Sequence, residues 1–119
     1  MFVINYHKFI NNNYSFLKEF GFVCTKLQNG PDLELIFSRE DTAVEILYYY
    51  GVDDKYNKGY YIDVVVCKKG IRENLLNCTK VFGEEKLIKL AMEVSSAKLK
   101  NEIIAYARFI SNNISMLLD

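Results

Sequence analysis

The chain has 119 residues, half of them apolar and a quarter charged, with fifteen acids balanced by fifteen bases. That length is one domain over residues 1–119, large enough to bury roughly two-thirds of its unfolded surface without staples. Zero net charge excludes both the basic surplus of a nucleic-acid binder and the acidic surplus of a nucleic-acid mimic. No apolar run approaches the length of a membrane-spanning helix, and Cys24, Cys67 and Cys78 are too few and too widely spaced for a disulfide framework. They read as reduced thiols of a cytoplasmic protein.

The N-terminal region predicts a helix, because Tyr6, Phe9, Ile10, Phe16, Leu17 and Phe20 recur at helical spacing, with one polar slip at Asn13. A break is expected near Asn11–Asn13, and Gly21 suits the left-handed residue that ends the helix and folds Phe22 back onto Leu17. Four strands follow: Phe22–Leu27, Leu33–Ser38, Ala43–Tyr50 and Gly59–Cys67. Asn29-Gly30-Pro31 and Arg39-Glu40-Asp41 are their turns, and a longer polar loop, Gly51–Lys58, joins the last two strands. Such short connections imply an antiparallel meander. Beyond Lys68-Lys69-Gly70 the pattern turns helical, first through Ile71, Leu75, Leu76 and Phe82, then from Glu84 to Val94. A last, regular stripe follows: Leu99, Ile103, Tyr106, Ile110, Ile114 and Leu117. The order helix, four-stranded meander, C-terminal helices predicts an α+β fold with the helices on one face of the sheet.

Alternation separates the two faces of that sheet. Leu33, Leu35, Phe37, Val44, Ile46, Tyr48, Tyr60, Ile62, Val64 and Val66 form the face expected to meet the helices. The other face collects Glu34, Ile36, Glu45, Leu47, Tyr49, Tyr61, Asp63, Val65 and Cys67, whose acids do not belong in a core. Aromatics, aliphatics and carboxylates mixed on an exposed face resemble an interface.

No reaction chemistry emerges from the residues, and the chain is not expected to be an enzyme. His7, the one histidine, has no neighbouring ligands at metal spacing, and the cysteines lack C-x-x-C spacing. Cys24 and Cys78 read as small buried hydrophobes. Asp53-Asp54 with Asn57 lacks the spacing of a calcium loop, and Lys68, Lys69 and Arg72 read as a solvated strand end. No metal or cofactor is therefore expected. The tyrosines stand out instead: six of nine lie between Tyr48 and Tyr61. Tyrosine supplies large contact area at low entropy cost, so this crowd points to binding. The candidate partner-binding residues are Glu34, Glu45, Tyr49, Asp53, Asp54, Tyr56, Tyr61 and Asp63.

The segment Phe16-Leu17-Lys18-Glu19-Phe20-Gly21-Phe22, followed by hairpin strands and the alternating Val44–Tyr48, resembles the opening of small α+β immunity proteins. These belong to bacterial polymorphic toxin systems, including contact-dependent growth inhibition. The resemblance runs to Cys67, and the C-terminal helices match in kind. It implies a cytoplasmic protein that neutralises one cognate toxin domain, often a nuclease, by occlusion. Immunity families share no catalytic residues and their contact residues diverge, so none transfers by motif. Neutral net charge departs from the acidic surplus common among nuclease inhibitors, unless the acids gather locally. The expected partner is thus a protein toxin domain, not nucleic acid or membrane, met by a monomer or weak homo-oligomer. The alternative is a dimeric secretion chaperone or adaptor.

Overall fold

The computed structural model describes residues 6–30, 32–52, 58–75, 77 and 98–118. The N-terminal segment is helical, but in two pieces. Helix α1, His7–Tyr14, passes into a 3₁₀ segment, Ser15–Phe20. The change falls after the three asparagines rather than within them. Asparagine competes for helix backbone, and the Asn13 side chain donates to the Phe9 carbonyl. The predicted ending holds: Gly21 adopts φ 88°, and the Phe22 N–H donates to the Leu17 carbonyl at 3.2 Å. Leu17 and Phe22 are both buried in the core.

The sheet has five strands: β1 Val23–Asn29, β2 Asp32–Arg39, β3 Thr42–Val52, β4 Lys58–Lys68 and β5 Ile71–Asn74. They form an antiparallel meander in sequence order. Asn29 pairs with Asp32, so Asn29 ends a strand instead of opening the turn. The fifth strand corrects the expected four. Residues Ile71–Asn74 were read as the start of a helix, yet they pair back on β4. Lys69 at φ 52° and Gly70 at φ 81° form a two-residue turn between Lys68 and Ile71. Positive φ at both positions matches the right-handed twist of the flanking strands. The four exposed residues of β5 carry no period-2 hydrophobic pattern, so nothing in them announces a strand. The predicted helical stretch from Glu84 to Val94, with Leu76, Cys78 and Phe82, lies outside the described residues.

Helix α2, Lys98–Asn112, and helix α3, Ile114–Leu118, replace the single predicted C-terminal helix. The Asn113 side chain donates to the Phe109 carbonyl where the two meet. Ile103, Tyr106, Ala107, Phe109, Ile110, Leu117 and Leu118 are buried, while Leu99 and Ile114 flank the core half-buried. Against them lie Leu33, Leu35, Phe37, Val44, Ile46, Tyr48, Ile62, Val64 and Val66, the face assigned by alternation. Only Tyr60 of that set is half-buried. Each large side chain so buried contributes about 1.5–3 kcal/mol. Tyr14 ties the N- and C-terminal helices together: it is fully buried and its hydroxyl donates to the Ile103 carbonyl at 3.1 Å. Burial raises its phenol well above the usual range. The α+β class, with helices packed on one face of an antiparallel sheet, therefore stands.

Ile46 lies at the centre of the sheet and is fully buried. Ile46→Ala is expected to cost about 2–5 kcal/mol, read as the loss in urea-unfolding free energy. The β4–β5 turn gives a test of opposite sign. Lys69→Asn places a residue tolerant of positive φ beside Gly70 and should raise stability by a few tenths to about 1 kcal/mol. Gly70→Ala at φ 81° should lower it by about 1 kcal/mol in the same assay.

Candidate functional site

The face turned away from the helices is set by strand pairing. Registers Leu27↔Glu34, Glu34↔Leu47 and Leu47↔Asp63 put these four side chains in one row across β1 to β4. The next row runs Thr25, Ile36, Glu45, Val65, Asn74. Tyr49 and Tyr61 face each other across β3 and β4. On β2, β3 and β4, the residues from Ile36 and Glu45 to Tyr61 and Val65 are half-buried, as neighbouring side chains shield one another.

Of the eight predicted contact residues, five share this face: Glu34, Glu45, Tyr49, Tyr61 and Asp63. Asp53, Asp54 and Tyr56 lie outside the described residues. The tyrosine crowd divides by parity. Tyr48 and Tyr60 stack at 5.0 Å on the helix side, where Tyr6, His7 and Phe9 join them. Tyr50, more than half exposed, meets Tyr60 edge-on at 5.3 Å. His7, half-buried at the start of α1, stands edge-on to Tyr48 at 5.6 Å. The Tyr49 and Tyr61 rings lie 6.0 Å apart on the outer face. Gly51 leaves room for them, since a Cβ there would stand 3.3 Å from the Tyr49 ring.

Tyr49 is held in place. Its hydroxyl donates to Asp63 Oδ2 at 2.8 Å. Burial, then this bond to a carboxylate, pushes its phenol up to about 12. Glu45 is paired with Arg72, which the β5 strand brings onto the face opposite Cys67. Arg72 was read as part of a solvated basic cluster, and only the undetected fifth strand reveals its role. Asp32 was also missed, because the strand was started one residue late. It accepts the Tyr50 N–H at 3.2 Å and faces outward with Glu34. Extending the alternation one step back from Glu34 would have found it.

Two properties follow. Asp32, Glu34, Glu45 and Asp63 stand against Arg72 alone, so among the described residues the face carries four carboxylates and one guanidinium. A neutral chain thus has an acidic side. A groove of about 350 Å³ also opens at the β1–β3 end, with Leu27, Asn29, Asp32, Glu34, Leu47 and Tyr49 along it. Among the described residues no three His, Cys, Asp or Glu side chains gather in a way that could hold a metal ion. Cys24 packs half-buried beside the core, and burial raises its thiol; Cys67 sits half-buried on the outer face. Among the described residues no helix is long and apolar enough to cross a membrane. No protein-family model, curated protein or solved structure matches the chain.

The Tyr49 phenol gives this face a pH signature. Its ordinary value is 10, and in the fold it is about 12, so folding holds the proton. The stabilisation is complete below about pH 10 and is lost as the pH rises through about 12. Urea midpoints measured between about pH 9 and 12 should fall less steeply for Tyr49→Phe than for the unsubstituted protein.

Proposed function

We propose that the protein is an immunity protein, binding one cognate toxin domain with its outer sheet face and neutralising it by stoichiometric occlusion. The observation that carries this reading is the Tyr49–Tyr61 pair, braced by Asp63 among four carboxylates on the face away from the helices. Interfaces draw most of their energy from a few rigid aromatic anchors within a polar rim. A tyrosine whose hydroxyl is already bonded presents its ring at little further entropy cost. The acidic side supports a basic partner surface, such as the substrate cleft of a nuclease, because opposite potentials steer encounter and select partners. Local acidity answers the objection raised by zero net charge. The resemblance of the Phe16–Phe22 segment to immunity proteins supports the same class.

A homodimeric adaptor is the second reading. It is favoured by β1, an edge strand on which Val23 and Leu27 are 68% and 52% exposed. Lys26 on that strand is exposed and opposes strand-to-strand association, as charges on edges do. Sedimentation equilibrium separates the two, since a tight dimer supports the adaptor.

The deciding experiment uses the full chain as bait in a lysate of its source cells. Recovery of a toxin domain whose activity is abolished at one molar equivalent supports the proposal. If no captured protein is inhibited, the proposal fails. Tyr61→Ala and Tyr49→Ala should each weaken that complex by about thirtyfold, or roughly 2 kcal/mol. Tyr49→Ala should also lower thermal stability, because it removes the bond to Asp63, so Tyr49→Phe serves as the control that retains the ring.

A further inference from the structure

The outer-face carboxylates are not equivalent. Glu45 is paired with Arg72, Asp63 accepts from Tyr49, and Asp32 accepts the Tyr50 N–H through Oδ1. Glu34 has no ion-pair or hydrogen-bond partner among the described residues, although it is half-buried between Leu27 and Leu47 on the neighbouring strands. A carboxylate flanked by leucines and left without a counter-ion within the described residues is open to a cation brought by a partner. It lies in the groove described above, with Asp32 two residues along the same strand and Tyr49 as a wall. Successive outward side chains on a strand are roughly 7 Å apart, so both carboxylates reach one planar cation.

We propose that this groove is the receptor for an arginine side chain projected by the partner protein, an inference that rests on the reading of the outer face as a docking surface. Each part of arginine has a counterpart there. Its aliphatic stem lies against Leu27 and Leu47. Its guanidinium stacks on the Tyr49 ring, which the bond to Asp63 holds in place. Its N–H groups donate to Glu34 and to the oxygen of Asp32 that Tyr50 leaves open. Lysine fills this site less well, since its ammonium is a compact, strongly hydrated charge that neither stacks flat nor bridges two carboxylates. A phosphate-bearing ligand is disfavoured, because both charged groups in the groove are acidic.

The test is an amide-resolved NMR titration of the full-length protein with N-acetylarginine methylamide. Its lysine and citrulline counterparts serve as comparison probes. Saturable shifts confined to residues 27–34 and 47–49 are expected with the arginine probe, weaker ones with lysine and none with citrulline, which keeps the shape without the charge. Glu34→Gln should weaken arginine binding by about tenfold, as loss of a charge-assisted hydrogen bond does, with the rest of its spectrum unchanged. Asp32→Asn is the second variant, expected to weaken binding less. Scattered shifts, equal response to citrulline, or full affinity in both variants overturns the assignment. So do probe-free, concentration-dependent shifts at the same amides, which would make a second copy of this chain the occupant. If the arginine probe fails while the toxin complex still depends on Tyr49 and Tyr61, the groove assignment alone falls. If the probe binds as described and no toxin is inhibited, the groove assignment stands and the proposed function falls.

Discussion

The register of β3 against β4 is the constraint on which the rest of the structure depends. Eleven consecutive pairs, from Thr42↔Lys68 to Val52↔Lys58, join the two longest strands. Side chains alternate with period 2, so a slip of one residue would put the two strands out of phase, carrying either Ile46 or Ile62 and Val64 to solvent and pressing either Glu45 or Asp63 against the helices. Burying several aliphatics is worth many times the modest net gain of any one ladder hydrogen bond, so the register has a single solution. β2 then adds Leu33, Leu35 and Phe37 to the same side, and α1, α2 and α3 find one continuous apolar surface to cover.

The same register composes the outer face. It sets Tyr49 opposite Tyr61 and Leu47 opposite Asp63, and through β2 it lodges Glu34 between two leucines. Their significance lies in juxtaposition: among the described residues one guanidinium shares the surface with four carboxylates, and two aromatic rings stand on the face away from the described helices. Core and binding surface are therefore two sides of one alternation, and a substitution that disturbs register disturbs both. That coupling makes the isosteric changes at Glu34 and Tyr49 more informative about the surface than truncations would be.

Several elements were legible because they depend on neighbours in sequence. The helix ending at Gly21 follows from one residue's freedom at positive φ and from the 17-to-22 spacing. The core face of β2, β3 and β4 follows from period-2 alternation, and every residue assigned to it except Tyr60 is buried. The elements that escaped lack such a local signal. β5 is short and exposed throughout, so it exists through its pairing with β4 and the Lys69-Gly70 turn. Asparagine is weak as a helix residue wherever it stands, so the three in α1 announce a break without locating it.

By itself the sequence determined which side chains share a face, because alternation is a property of a single strand. It also determined the α+β class, because helical and strand periods occupy separate parts of the chain. Only the tertiary structure decided which further charges join the acidic face and which of its carboxylates are satisfied. Asp32 joins the surface because β2 starts earlier than its hydrophobic run, and Arg72 reaches Glu45 because β5 exists. Among the described residues Glu34 has no cation, because the strands on either side of it present leucines. Those facts depend on pairing between segments far apart in the chain, and the geometry of such pairs is set by the folded sheet as a whole.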